Sequence, residues 1–333
     1  YKLLGNVYGE YRIADWLSYR LSLSLDFYHF QNKFFARPGA LSYNSPNNPF
    51  ATLDDTQGRF FNTIVENTLN LNKTFGKHGV SALVGYTRQR DDFNEVYART
   101  EGITGEFYQQ NAGTASPRTG GRSEIAGLVS YLGRVIYSFD DRYVVQANLR
   151  RDASSRFPRS NQVAYFPSAS VAWNISREAF MQDVKAINDL KLRASYGSVG
   201  NQAILPYQLA PTIAPNLNYV LNGQTVVAGA ANRTLLNTDL RWERKITADL
   251  GVDVSFMNNK LQFTADYFRS ESKDLLLNVP VPFSSGNDGP NPYDNLGGIL
   301  NRGVELSLTY QDRAGDLRYS VNGQITCIRN KVL

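Results

Sequence analysis

From Tyr19 to Phe27 the chain reads Tyr-Arg-Leu-Ser-Leu-Ser-Leu-Asp-Phe, apolar at every odd position and polar at every even one. Successive side chains of a strand point to opposite faces, so this period of two specifies a sheet with one apolar and one polar surface. The pattern recurs from end to end. It runs through Tyr143, Val145, Ala147 and Leu149 against Gln146, Asn148 and Arg150. It returns over Leu190–Tyr196, Leu261–Tyr267 and Val304–Tyr310, and Leu317, Tyr319, Val321, Gly323 and Ile325 close the series. Helical periodicity is confined to Ser176–Ile187, where Ser176 is placed to cap one short helix carrying Phe180, Met181 and Val184.

Connections alternate between tight and long. Tight ones are predicted at Gly76–Gly79, Asp140–Arg142, Met257–Lys260 and Asp312–Asp316, whose Gly, Asn and Asp content is hairpin chemistry. Long polar ones are predicted over Asn32–Gly58, Ala98–Arg122, Asn201–Asp239 and Leu277–Gly298, and Ala115–Arg122 reads as a flexible Pro/Gly stretch. These exceed the usual connection of a compact domain. Short turns at one end and long loops at the other are the habit of a transmembrane β-barrel. The pattern yields about twelve strands, most of about 10–16 residues, where roughly 9–11 tilted residues cross the hydrocarbon. The expected fold is therefore an all-β, antiparallel, up-and-down transmembrane β-barrel.

Mean hydropathy is −0.37, and no run approaches the roughly 18 apolar residues of a membrane helix. A barrel hides its apolar residues in alternation, so an unremarkable average is what it gives. The 20 Tyr and 18 Phe favour pleated surfaces. Tyr137, Phe139 and Tyr143 flank one turn and Phe256 another, while Phe34, Phe35 and Phe166 lie towards the loops; belts at two water interfaces account for both groups. Ordinary cross-strand aromatic pairs in a soluble sheet are the blander reading. With the apolar phase in lipid, Arg20, Asp26, Gln146, Asn148, Arg150, Lys191, Arg193, Asp266 and Glu305 face inward, onto a polar lumen.

Other chemistry has little material. The single cysteine, Cys327, falls on an apolar phase and excludes an internal disulfide. With 35 basic and 30 acidic residues mixed along the chain, net +5, no basic run points to nucleic acid. His29 and His78 are the only histidines, too few for a histidine zinc site. Ser22 and Ser24 lie on the opposite phase from His29, against a histidine–serine hydrolase, so no enzymatic role is expected. Gly197–Gly200 lacks the spacing of a phosphate loop and reads as a strand end. Asn287-Asp288-Gly289 with Asp294-Asn295 offers oxygen ligands for calcium in a loop, a weak signal without EF-hand spacing; otherwise no cofactor is expected.

Several phrases resemble the barrel portion of SusC/RagA-family TonB-linked outer-membrane proteins. They are Tyr143–Phe157 (YVVQANLRRDASSRF), Ala164–Ser168 (AYFPS), Ala172–Ser176 (AWNIS), Leu190–Gly197 running into Gly200-Asn201-Gln202, Asn237–Glu243 (NTDLRWE) and Asn301–Glu305, with Asn330-Lys331-Val332 after the next strand. They come in family order; Ala153 and Thr238 stand where the family often has glycine and proline. The resemblance implies about 22 strands around a plug, of which residues 1–333 supply a partial barrel domain. It further implies a bacterial outer-membrane importer of an oligosaccharide or peptide, energised by a TonB-type protein. A SusD-like surface lipoprotein would lid it, with dimers of transporter–lipoprotein pairs a further option. Loop residues Tyr207, Tyr219, Phe283, Asn287, Asp288 and Tyr293 are the candidate cargo or lid contacts. Since Tyr1 and Leu333 adjoin strand-like sequence, the first and last strands are expected to pair with strands outside the chain. A passive porin and a barrel scaffold for adhesion or assembly are the competing readings.

Overall fold

The computed structural model describes residues 1–39, 50–209, 213–215, 217–232, 235–286 and 291–333. Its strands are β1 (Lys2–Ala14), β2 (Leu17–Ala36), β3 (Thr52–Phe75), β4 (His78–Glu101), β5 (Ala115–Phe139), β6 (Tyr143–Ser154), β7 (Val163–Asn174) and β8 (Ile187–Asn201), followed by short β9 (Ile213–Pro215), β10 (Tyr219–Leu221), β11 (Thr225–Val227) and β12 (Ala230–Asn232). Then come β13 (Glu243–Phe256), β14 (Leu261–Lys273), short β15 (Leu276–Asn278) and β16 (Tyr293–Asn295), β17 (Gly298–Ala314) and β18 (Leu317–Val332). Twelve form one sheet in chain order, β1-β2-β3-β4-β5-β6-β7-β8-β13-β14-β17-β18, and the short strands pair as loop hairpins. This is the expected all-β architecture.

Strands β2 to β5 run 20 to 25 residues, longer than the sequence reading allowed. The loops predicted at Asn32–Gly58 and Ala98–Arg122 are correspondingly shorter. Ala115–Arg122 is the start of β5 rather than a flexible stretch. Its glycines are there for a neighbour: a Cβ on Gly120 would lie against the Tyr97 ring, and one on Gly121 against the Glu95 carbonyl. The helix predicted over Ser176–Ile187 is two 3-10 turns, Ile175–Arg177 and Ala179–Met181. Ser176 lies inside the first instead of capping it, and its hydroxyl donates to Asp189 Oδ1 at 2.7 Å.

By its contacts the chain divides into two units, Tyr1–Gly9 with Leu21–Glu66 and Thr87–Leu128, and Glu10–Arg20 with Asn67–Tyr86 and Val129–Leu333. In the first, Asn6 Nδ2 donates to Ser22 Oγ (2.8 Å) and Ser24 Oγ (2.7 Å), joining polar phases of adjacent strands. Ala51 and Ile103 beside the strand ends and Leu53 at the start of β3 form a small buried core with Phe35 and Ala112 against it.

In the second unit the register settles the faces. Val145 sits opposite Val171, Val171 opposite Ala194, Ala194 opposite Leu250, Leu250 opposite Tyr267, Tyr267 opposite Val304, and Val304 opposite Cys327. The apolar phases of seven consecutive strands thus share one surface, and most of these side chains are exposed. Gln146, Ser170, Ser195, Asp249, Asp266, Glu305 and Thr326 belong to the other.

The tight connections all lie in this unit, and neighbouring ones are tied together. Lys77 pairs with Asp140 (3.1 Å), Asp140 with Arg142 (3.0 Å) and Arg142 with Glu178 (3.3 Å). Asn188 Oδ1 accepts from Asn258 N at 2.7 Å, and Lys260 pairs with Asp312 at 2.7 Å. Asp140 and Asp141 turn with φ of 52° each, a left-handed conformation that aspartate tolerates. The hydroxyl of Tyr143 (2.6 Å), then the Trp173 indole N–H (3.1 Å) and Arg142, hold the Glu178 carboxyl below its usual range. Aromatic rings crowd the same rim: Tyr143 against Trp173, His78 beside Tyr137 and Phe139, and Lys73 over Trp16 and Phe75. The Nδ1 of His78, the first residue of β4, lies 2.7 Å from the Tyr137 hydroxyl.

Candidate functional site

On the polar surface of the second unit, Arg193 of β8 reaches sideways across β13. Its Nε and Nη2 bind Asp253 at 2.8 and 3.1 Å, and Nη2 also binds Asp266 of β14 at 2.9 Å. The strand it crosses offers Gly251 at that point, directly opposite both Arg193 and Asp266. A side chain there would stand where the guanidinium passes: an added Cβ would lie 2.1 Å from Asp266 Oδ1. Thr264 donates to Asp253 Oδ1 at 3.2 Å. Glu305, opposite Asp266, is exposed and adds a second carboxylate beside the clamp. Arg150 Nε grips both Asp152 oxygens, at 2.7 and 2.9 Å, and its Nη2 donates to Ser130 at 3.1 Å.

Between these charges the surface carries hydroxyls and amides, with Lys245 and Val199 among them. A cleft of about 320 Å³ is lined by residues including Gln146, Asn148, Ser168, Ser170, Ser195 and Thr247. Asn148 bridges to Ser168 at 3.1 Å, and Asn322 to Thr309 at 2.7 Å. Such groups exchange hydrogen bonds with a polar solute as readily as with water, which suits passage more than tight capture.

Where strands β6 to β8 and β13 meet the loops, the polar surface is covered by a buried knot. Phe157 stacks on Trp242 (4.9 Å between ring centres), and Phe166 meets Trp242 edge-on (5.6 Å). Ala164, Ile204 and Leu240 are buried with them. Gly200 admits the Phe166 ring, whose Cζ would lie 2.1 Å from an added Cβ. Trp242 Nε1 donates to Gln162 O at 3.1 Å, while Asn161 Nδ2 donates to Asp239 O (2.9 Å) and Leu240 O (3.2 Å). Beside this knot is a cavity of about 430 Å³ lined by Asn161, Asp239, Arg241, Arg244 and Asp274 among others. The phrases RRDASSRF, AYFPS and NTDLRWE thus converge in space, and what they build is a packing centre that roots two loops. The sequence held a signal for it. Val163–Phe166 is apolar on both phases; Ala164 and Phe166 are buried, while Val163 and Tyr165 are exposed on the other face.

The candidate loop contacts are dispersed. Tyr207 lies in a turn with φ of 61°, Tyr219 is exposed on β10 opposite Val227, and Tyr293 is half-buried on β16 opposite Asn278. Phe283 begins a 3-10 turn, Phe283–Ser285; Asn287 and Asp288 lie outside the described residues. The two remaining candidate calcium ligands are occupied by loop bonds. Asp294 Oδ1 accepts from Asn237 Nδ2, and Asn295 Oδ1 from Arg241 N, both at 2.8 Å. Among the candidate inward charges, Arg193, Asp266, Glu305 and Arg150 occur on the polar surface just described. In the first unit Asp26 pairs with Lys2 at 3.5 Å; Arg20 is half-buried in the second.

Residues 4–330 match a family model described as TonB dependent receptor-like, beta-barrel. The chain is 33% identical over 276 residues to TonB-dependent receptor P3 of Formosa agariphila, covering 82% of this chain and 27% of that protein. It is 33% identical over 202 residues to TonB-dependent receptor SusC of Bacteroides thetaiotaomicron, covering 58% of this chain and 20% of that protein. A solved structure of the RagAB peptide transporter superposes with a TM-score of 0.85 at 24% identity, covering 99% of this chain and 36% of that one. The chain therefore spans about a third or less of the length of these relatives.

Proposed function

This chain belongs to the TonB dependent receptor-like β-barrel family, and on that premise we propose that it forms part of the wall of an energised outer-membrane importer. The apolar surface meets lipid and the polar one a wet passage holding Arg20, Asp26, Arg150, Arg193, Asp266 and Glu305. Charges on a lipid face cost roughly 2–4 kcal/mol each near the midplane, whereas water in a lumen accepts them. The observation that carries the reading is the register that gathers seven apolar phases on one face.

The other strands of a barrel of about 22 in total, and a plug, belong to the rest of the polypeptide, with the plug beside Arg150, Arg193 and Asp266. The cargo is an oligosaccharide or a peptide. Tyr207, Tyr219, Phe283, Asn287, Asp288 and Tyr293 meet the cargo or a SusD-like lipoprotein lid, and a TonB-type protein supplies the energy. Likeness to SusC and to the RagAB peptide transporter supports this assembly and leaves both cargo classes in play.

The test is uptake of labelled oligosaccharides and peptides by cells carrying the full-length protein, with and without the lipoprotein and the TonB-type partner. Uptake of one class that stops when either partner is removed is expected. Uptake that persists without the TonB-type protein would make the wall a passive pore.

A further inference from the structure

On the apolar surface of the second unit, three adjacent strands change character at the same level. Along β14 the outward series runs Leu261, Phe263, Ala265, Tyr267 and then Arg269. Along β17 it runs Tyr310, Leu308, Leu306, Val304 and then Arg302, and along β18 Val321, Gly323, Ile325, Cys327 and then Arg329. The register places Arg269 directly opposite Arg302, and Arg302 directly opposite Arg329. Neighbouring strands lie about 4.8 Å apart, so three guanidinium groups are rooted within roughly 10 Å. Arg244 sits opposite Lys273 on the same surface, further towards the loops.

Like charges directly opposite one another destabilise a sheet. The chain supplies little to offset them: Glu271 lies 3.6 Å from Arg269 and 3.2 Å from Lys273. Among the described residues, no acidic side chain pairs with Arg302 or Arg329. The row also has a particular depth. From Tyr310 to Arg302 is roughly 27 Å of strand, or about 20 Å of depth at a barrel tilt, so the arginines stand near the loop-side edge of an apolar band about 25 Å tall.

We propose that Arg269, Arg302 and Arg329 dock the phosphate groups of a phosphorylated glycolipid in the outer leaflet. The inference rests on reading this surface as lipid-exposed with the loops outside the cell. A ligand that matches both features is an amphiphile whose acyl chains lie along Val304, Leu306 and Leu308 while its phosphates reach the arginine row. Guanidinium groups hold phosphate through paired, charge-assisted hydrogen bonds, and their long stems let them reach from the band into the headgroup layer.

The experiment is native mass spectrometry of the full-length protein in detergent. It is titrated separately with phosphorylated lipid A, dephosphorylated lipid A, phosphatidylglycerol and inorganic phosphate. Phosphorylated lipid A should be retained, and removing its phosphates or introducing R302Q with R329Q should weaken retention by about tenfold, the scale of losing charge-assisted hydrogen bonds. R302K with R329K keeps the charge without the fork and should fall between. Equal retention by the glutamine variant, or equal binding of dephosphorylated lipid A, phosphatidylglycerol or inorganic phosphate, overturns the proposal. Spin labels at Leu306 and Val321 separate the underlying reading. Labels reached by a water-soluble nickel chelate rather than by oxygen dissolved in lipid would overturn the face assignment, and the docking site with it.

Discussion

At Gly251 an added Cβ would lie 2.1 Å from Asp266 Oδ1 and 2.8 Å from Arg193 Nη2, so the residue is a saddle that a charged side chain crosses. Gly251→Val should sever the Arg193–Asp266 contact and leave Asp266 facing Glu305 without its cation. Charge-assisted hydrogen bonds contribute about 1.5–3 kcal/mol, and water reaches this clamp, so a loss of about 1–2 kcal/mol is expected. Urea unfolding of the full-length protein should show it. Gly251→Val combined with Arg193→Gln should cost less than the sum of the two alone, because both remove one interaction. Strict additivity would mean that the two residues act separately. Arg193 and Asp266 were legible as polar-phase residues from alternation alone. Asp253 was not read as their partner, because it meets Arg193 diagonally, two positions past Gly251, and that meeting depends on the register of β8 with β13.

The loops are anchored elements, and Trp242 is their common root. Removing a buried aromatic side chain costs about 3–5 kcal/mol. Trp242→Ala should therefore free the segment between Ile204 and Leu240 while strands β13 and β14 stay paired. Limited proteolysis should show faster cleavage within that segment, with the far-ultraviolet circular dichroism unchanged. Trp242→Phe keeps ring contact with Phe157 and loses only the bond to Gln162 O, so it should be intermediate. Cleavage at the wild-type rate in the alanine variant would remove the anchoring role. Strand positions were readable at this scale because facing is written into every second residue. Strand ends were not. Pro117, Gly120 and Gly121 look like breakers, yet β5 continues through them, and at Gly120 and Gly121 the neighbouring Tyr97 ring and Glu95 carbonyl need the room. The helix expected at Ser176–Ile187 is two 3-10 turns because the segment is held by side chains of adjacent turns, with Glu178 clasped by Tyr143 and Trp173 and Ser176 bonded to Asp189.

At the scale of the whole molecule, β1 and β18 are the edges of the sheet, each with a neighbour on one side only. On the proposed membrane reading, unpaired backbone groups in hydrocarbon would cost several kcal/mol each, and these edges would need partners. The 333-residue chain refolded alone in detergent is expected to associate through them or remain unfolded, whereas the full polypeptide should give a heat-modifiable monomer on gels. A compact monomer from the chain alone would mean that β1 and β18 pair with each other, and the plugged importer would lose its structural basis. The order of strands in the large sheet is also the order of the chain, with loop hairpins set aside from it. Copying or deleting one hairpin would therefore disturb only the two seams beside it, and replacing a loop would disturb none. On the proposed importer reading, such a wall could change its circumference by gene duplication and its cargo by loop exchange, two evolutionary moves that do not interfere with each other.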